Sequence, residues 1–221
     1  YTLPIMLVGS FIFPLMHFTG NWSWLFPGIL CYFFFGSVGM AAGLHRYWGH
    51  GAFKMSKPME YIVTTLGAFN GYGSIFPWVL IHTENHHKNS DTEKDPHTPL
   101  KGFWYSFLTW HRDENLFAVP RKTLAKYIKR GVLNNRYYKF LNDYHIAIHY
   151  SVFALIWLLF GWEPALFVFW FGVWATVMNT ALVTSLGHYK WMGYQNFNTN
   201  DNSINNRLGS LLTWGEMLHN N

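Results

Sequence analysis

The absence of charge over the first 45 residues is the feature that most constrains this fold. Residues 1–45 contain no Lys, Arg, Asp or Glu. Residues 24–44 form an apolar run of the length that crosses the hydrocarbon core of a bilayer, which takes about 20 residues as a helix. A shorter apolar run at residues 3–18 precedes it, and a turn at residues 20–23 separates the two. The pattern predicts a membrane hairpin of two helices.

A second stretch repeats this layout near the other end of the chain. Residues 144–187 contain one charged residue, Glu163, in a turn between apolar runs at residues 144–160 and 165–187. Charged residues make up 12% of the whole chain, about half the share usual in soluble domains. We therefore predict an all-α membrane protein, with four transmembrane helices in two hairpins within a single domain over residues 1–221.

The charged residues lie mainly between the two hairpins. Residues 46–143 hold 14 of the 16 Lys and Arg residues, whereas the hairpin turns hold none. Because Lys and Arg are enriched in cytoplasmic loops, this distribution predicts a multi-pass protein whose turns face outward. Residues 45–143 and 188–221 are then predicted to form a His-rich cytoplasmic or interfacial cap.

Two segments of this cap are predicted to contact the membrane. Residues 61–81 are apolar but interrupted by Gly and Pro, which favours a re-entrant or interfacial helix, with a third full span as the alternative. Residues 118–139 are basic without an acidic residue, which predicts an amphipathic surface helix near anionic lipid. A nucleic-acid partner is not expected, because the flanking apolar spans argue against a soluble binding module.

Histidine is unusually frequent, with 12 His against 11 acidic residues. Seven of them lie at the predicted cytoplasmic ends of the apolar segments: His45, His50, His82, His86, His87, His188 and His219. Neutral imidazole is a good ligand for iron, zinc or copper, so this grouping predicts a metal site. The single cysteine, Cys31, excludes an intramolecular disulfide and argues against an iron–sulfur cluster.

The spacing of these histidines suggests how they divide. His82 and His86 are four residues apart and would share one face of an α-helix, whereas His87 would point elsewhere, toward a second ion. Trp78, one turn before His82, is predicted to line a substrate channel, or alternatively to belong to an interfacial aromatic belt. The other five histidines are expected to be structural or interfacial: His17, His97, His111, His145 and His149.

Four motifs around these histidines resemble those of membrane fatty-acid desaturases. Residues 45–50, His-Arg-Tyr-Trp-Gly-His, resemble the first histidine box. Residues 86–97 resemble the second box of the stearoyl-CoA-desaturase-like branch. Ser-Leu-Gly-His at residues 185–188 resembles an additional histidine of that branch, and residues 215–221 resemble the start of its third box. The resemblance covers nearly the whole chain.

This resemblance implies a four-span enzyme that holds two iron ions through the seven histidines, with no catalytic residue beyond these ligands. Such enzymes use O2 and electrons from cytochrome b5, ferredoxin or a reductase. They leave a cis double bond in a fatty-acyl chain linked to lipid, carrier protein or CoA. Two alternatives stay open: a related hydroxylase or olefin-forming enzyme acting on fatty acid or alkane, and a non-enzymatic membrane protein that binds metal or lipid.

The chain departs from the family pattern in three places. The third box should continue with two further histidines after Asn221, so we expect the protein to extend beyond both ends of this sequence. His-x-x-x-His-His at residues 82–87 is one residue longer than in animal acyl-CoA desaturases and is typical of acyl-lipid enzymes. Thr184 stands where animal enzymes have an Asn near the metal, which leaves any water-mediated contact there open.

Overall fold

The computed structural model describes residues 2–112, 124, 125, 127, 131 and 133–221. These residues form helices and loops, with no β-strand among them beyond isolated bridges that join Asn205 to Tyr194 and to Leu218. The all-α prediction is therefore confirmed for the described part of the chain. Most of the predicted basic helix at residues 118–139 lies outside the described residues.

Eight helices organise the part that is described. They are α1 (Thr2–Thr19), α2 (Trp22–His50), α3 (Lys57–Gly67), α4 (Ile75–Leu80), α5 (Arg136–Asp143), α6 (His145–Phe160), α7 (Trp162–Leu186) and α8 (Arg207–Leu212). Helix α4 continues through a π-helical turn, Ile81–His86, into an α-helical turn, His87–Asn89. Shorter turns lie at Pro99–Lys101, Tyr105–Thr109, Trp110–Arg112 and Lys190–Met192.

Three of these helices, α1, α2 and α7, are long and apolar enough to cross a membrane. They coincide with three of the four predicted spans. The fourth predicted span, residues 144–160, corresponds to α6, which reaches sufficient length only together with α5. The axes of α5 and α6 differ by 76°. The structure thus contains three candidate spans, and a fourth only if this bent pair is one span.

The two predicted hairpin turns lie at the same end of the molecule. Asn21 Nδ2 and Trp24 Nε1 both donate hydrogen bonds to Glu163 Oε2, at 2.6 and 3.1 Å. Beneath them, α1, α2 and α7 share an apolar core that includes Ile12 and Phe167. Glu163, the one charge of the second apolar stretch, therefore connects the beginning of α2 to the beginning of α7.

The segment at residues 61–81 is not one continuous helix. Helix α3 ends at Gly67, and Gly71 and Gly73 take positive φ angles of 74° and 133° before α4 begins. Asn70 stabilises the reversal: its Nδ2 donates to the carbonyl of Gly67, and its Oδ1 accepts from the N–H of Tyr72. A third full span is therefore excluded here, and the chain instead reverses between two short helices.

Helices α2 and α3 cross in very close contact, because glycines face each other there. A Cβ atom on Gly39 would lie 2.5 Å from the backbone nitrogen of Gly67, and one on Gly67 would lie 2.9 Å from the carbonyl oxygen of Gly39. Small residues permit this kind of backbone approach between membrane helices. The crossing holds the histidine-bearing end of α2 beside the reversal that leads into α4.

We expect Gly39→Ala to destabilise the protein by about 1–3 kcal/mol, the usual cost of overpacking a rigid contact. The matched control is Gly36→Ala on the same helix, where the added methyl group meets mainly the movable ring of Tyr32. Thermal unfolding in detergent should show a clearly lower midpoint for the Gly39 variant. Equal midpoints for the two variants would contradict the proposed backbone contact.

Candidate metal centre

Four of the predicted histidines form a first group. The ring nitrogens of His45, His50, His82 and His87 approach one another within 4.8 Å. Nε2 of His82 lies 2.9 Å from Nε2 of His87, and the rings of His45 and His82 are 4.6 Å apart. A group of converging imidazole nitrogens of this kind can hold a metal ion.

The helix winding explains why this group assembles. His45 and His50 are five residues apart, as are His82 and His87. Residues Phe33–His50 and Ile81–His86 are π-helical, and π-helical hydrogen bonds join residues five apart, which brings such residues onto one face. The sequence predicted that His82 and His86 share a face, and their rings do lie 5.6 Å apart, but the ring nitrogens of His82 group with those of His87, whereas His86 belongs to another group.

A second group contains the remaining three predicted ligands. Ring nitrogens of His86, His188 and His219 lie within 4.8 Å of one another. The ring centroids of His188 and His219 are 4.9 Å apart, and those of His86 and His188 are 5.2 Å apart. Nε2 of His188 is buried and has no hydrogen-bond partner within the described residues. A buried imidazole nitrogen that faces two others and lacks a protein partner has the character of a metal donor.

Three carboxylates orient these histidines, and sequence reasoning missed all three. Nδ1 of His86 lies 3.0 and 3.1 Å from the two carboxylate oxygens of Asp95. Nδ1 of His188 lies 3.0 Å from Asp91 Oδ2, and Nδ1 of His45 contacts Glu216 Oε2. A carboxylate that accepts the Nδ1 proton fixes the ring and leaves Nε2 available to a metal. Each carboxylate lies within a motif already quoted, which was the available signal.

The loop from Asp91 to His97 presents Asp95 to its histidine. Asp95 is buried and accepts hydrogen bonds from the N–H groups of Asp91, at 3.0 Å, and His97, at 3.2 Å. The ring of His97 lies 4.1 Å from that of His86, and its Nδ1 is 3.6 Å from Asp95 Oδ1. The sequence placed His97 among the structural histidines, whereas the structure brings it against a predicted ligand.

The electrostatics of the site favour the neutral form of five of its imidazoles. Burial, reinforced by neighbouring imidazoles, lowers the pKa well below the usual value for four of these histidines: His82, His86, His97 and His219. Burial likewise lowers the pKa of His87 to about 3. For Glu216, burial raises the pKa, but His45 and Arg46 outweigh it and lower the pKa overall. At neutral pH the site therefore offers uncharged ring nitrogens and an ionised carboxylate.

An apolar cavity of about 240 Å³ borders both histidine groups. Its walls come from α2, α4 and α7 and include Met40, Trp78 and Val183. The indole of Trp78 stacks on the ring of His82, with centroids 4.6 Å apart and planes 17° apart. The structure thus places Trp78 both on the cavity wall and against a predicted metal ligand.

Thr184 also lines this cavity, but its hydroxyl is already engaged. It donates to the carbonyl of Thr180 at 3.0 Å, within its own helix.

Three further histidines with described side chains belong to neither histidine group. His17 is exposed and lies far from both groups in sequence. His149 is buried in α6, and His145 lines the cavity. The side chain of His111 lies outside the described residues.

The chain matches a known protein family over most of its length. The family model described as fatty acid desaturase matches residues 21–221, which include both histidine groups and the cavity. The chain belongs to the fatty acid desaturase family. The resemblance predicted from the histidine motifs is therefore confirmed.

Individual desaturases show the same relationship. The chain is 33% identical over 209 residues to the sn-1 stearoyl-lipid 9-desaturase of Synechocystis. The aligned region covers 91% of this chain and 61% of that protein. It is 32% identical over 205 residues to the enzyme of that name from Anabaena variabilis, covering 91% and 72%. It is 33% identical over 212 residues to acyl-CoA 5-desaturase AL21 of Anemone leveillei, covering 92% and 62%.

The donor set in this desaturase-family chain fits metal ions. All seven predicted ligands offer imidazole ring nitrogens, and three of them have a carboxylate at Nδ1. Imidazole suits iron, and Nε2 of His188 supplies a buried donor that lacks a partner among the described residues. The two groups together could hold two ions side by side.

Proposed function

We propose that this chain is the membrane domain of an enzyme that introduces a cis double bond into a long fatty-acyl chain, using O2. The observation that carries this proposal is the convergence of seven histidines from four separated segments into two groups, four of whose members line an apolar cavity. An enclosed apolar space beside converging polar groups is the usual form of a site for an apolar substrate.

We assign the seven histidines as ligands of two iron ions. His45, His50, His82 and His87 would hold one ion, and His86, His188 and His219 would hold the other. When bound, iron would supply the activation of O2 that hydrogen removal from an unactivated chain requires. The chain itself supplies neutral Nε2 donors, the carboxylates that orient them, and apolar walls that limit access of water.

The cavity lining and the names of the relatives both support a fatty-acyl substrate. The walls beside the histidines are mainly apolar or aromatic, which suits the methylene groups of an acyl chain. Two of the three relatives described above are named for lipid-linked substrates and one for an acyl-CoA. We propose a lipid-linked acyl chain, in keeping with the long His-x-x-x-His-His spacing at residues 82–87.

We further propose that the histidines face the cytoplasm and receive electrons there from a separate carrier. The Lys and Arg residues concentrate in residues 46–143, the segment that also contains His50, His82, His86 and His87, and cytoplasmic loops are enriched in basic residues. Cytochrome b5, ferredoxin or a reductase would serve as the donor, as in the enzymes that the motifs resemble.

The full-length protein, expressed in a host that lacks its own acyl desaturase, tests this function. Mass spectrometry of the membrane lipids should show acyl chains that have lost two hydrogens, with the new double bond at one position. Chains that gain an oxygen atom instead would establish the hydroxylase alternative. Unchanged lipids, despite full iron loading and a supplied electron donor, would leave only the non-enzymatic metal-binding alternative.

Trp78 is predicted to position the acyl chain. We expect Trp78→Leu to lower desaturation several-fold and to spread the double bond over neighbouring positions, because a large wall beside His82 is lost. Small misplacements of a reacting group are costly in this way. The matched control is Trp104→Leu, since Trp104 is exposed and lies away from the cavity. An unchanged product profile for the Trp78 variant would assign this indole to helix packing alone.

A further inference from the structure

The short helix α8 presents an apolar face that no described residue covers. Leu208, Leu211 and Leu212 are 73, 75 and 68% exposed. Their spacing of three and four residues places them on one side of the helix. Contiguous exposed apolar side chains of this kind mark an interaction surface in an otherwise polar region.

The position of α8 identifies the partner that this face suits. The hydroxyl of Tyr32 donates to the carbonyl oxygen of Leu212 at 2.7 Å. The indole of Trp214 packs against Tyr32 and Phe33, with ring centroids 5.4 and 5.2 Å apart. Tyr32 and Phe33 belong to the candidate span α2, well before its histidine-bearing end. The apolar face of α8 therefore lies beside a membrane-crossing helix.

The surface of α2 in this region is itself apolar and exposed. Phe26, Leu30 and Phe34 are 73, 46 and 43% exposed, as expected of side chains that face lipid. Ring contacts connect this surface to the segment that contains α8, because Phe33 lies 5.5 Å from Phe34 and 5.2 Å from Trp214 between ring centroids. Continuity between the two surfaces favours lipid acyl chains as the common occupant of both.

The polar margin of α8 also suits a membrane surface. Arg207 begins the helix, is exposed, and lies over the ring of Tyr194 at 5.6 Å. Trp191, which precedes Met192, is 78% exposed, and the carbonyl of Met192 accepts a hydrogen bond from Asn206 Nδ2 just before α8. Aromatic and basic side chains of this type are enriched where membrane proteins cross the headgroup layer, and Arg attracts anionic lipid there.

We propose that α8 inserts its leucine face into the bilayer, in the leaflet on the histidine side. The chain that follows α8 carries Glu216 and His219, both of which line the apolar cavity. An inserted α8 would anchor this wall at the depth of the lipid acyl chains. This last consequence rests on the proposed function, because it gives a lipid-linked chain a short path from the bilayer into the cavity.

Site-directed spin labelling of the full-length protein tests the insertion directly. In a background in which Cys31 and any cysteine outside residues 1–221 are replaced by Ala, single cysteines replace Leu208 or Leu211 and carry a nitroxide. The protein is reconstituted into vesicles of equal parts phosphatidylcholine and phosphatidylglycerol. Phe26→Cys on the exposed surface of α2 is the lipid-facing control, and Asn198→Cys in an exposed loop is the water-facing control.

We expect the labels on α8 to collide frequently with O2 and rarely with a water-soluble nickel complex, as the Phe26 label does. Frequent collision with nickel, as for the Asn198 label, would overturn the proposal by placing α8 in water. Low collision with both reagents would also overturn it, because it would show burial against protein, such as a second copy. Desaturase activity is not part of this measurement, so the insertion and the proposed function can fail independently.

Discussion

Replacing His86 with alanine will abolish desaturation and lower the iron bound to the full-length protein by about half or more. His86 is the residue at which the two histidine groups come closest in sequence, and its ring contacts those of His82, His87, His97 and His188. Without it, the second group retains His188 and His219 among the described residues. Iron content and lipid product are measured on the same preparation.

His17→Ala is the matched control for this substitution. His17 is also a histidine in a helical segment, but it is exposed and belongs to neither histidine group. It should retain full iron and full activity. If His86→Ala kept both iron and activity, the assignment of the second group as a metal site would be wrong, whatever the family relationship.

The uncharged apolar runs predicted three helices that the structure contains, because crossing a bilayer demands a long apolar helix. Their prediction needed no knowledge of packing. The run at residues 144–160 was equally apolar, yet α6 is bent away from α5 near Tyr144. Composition determines whether a helix tolerates lipid, but the direction of its axis depends on packing, which the one-dimensional pattern does not contain.

The histidines show a similar limit. Their clustering predicted which residues would meet, and the structure brings all seven into two groups. The prediction that His87 points away from His82 was wrong because it assumed α-helical winding, whereas the winding at Ile81–His86 is π-helical and His82 groups with His87. A π-helix has a different period from an α-helix, but a segment of six residues is too short to show that period as an apolar pattern. No residue in this segment indicates π-helical winding from the sequence alone.

The carboxylates were missed for a different reason. Asp91, Asp95 and Glu216 are ordinary acidic residues in a polar segment, and acidic residues in such segments are usually solvated. Only the fold shows that Asp95 is buried and that Asp91, despite a separation of 97 residues, reaches His188. Their positions within the histidine motifs were a usable signal, because metal-binding histidines commonly donate Nδ1–H to a carboxylate.

This geometry predicts a large effect of Asp95→Asn on iron binding and desaturation. The substitution would keep the size of the side chain, but it would remove the charge that holds Nδ1–H of His86 and directs Nε2 toward the second group. Removing such an outer carboxylate typically costs about 10–100-fold in metal affinity or activity. We therefore expect iron affinity and desaturation to fall by about that factor, while the protein stays folded.

Asp143→Asn separates this effect from the general loss of a negative charge. Asp143 is exposed on α5 and pairs with Lys139, far from the histidine groups in sequence, so its removal should change neither iron affinity nor activity. Iron titration of both variants shows whether Asp95 orients His86 or only stabilises the fold. A purely structural role for Asp95 would lower the unfolding midpoint and leave the iron affinity of the folded protein unchanged. Weaker iron binding at an unchanged midpoint is the expected result. It would show that the buried carboxylate beside Nδ1 of His86 determines how firmly this site holds its ions.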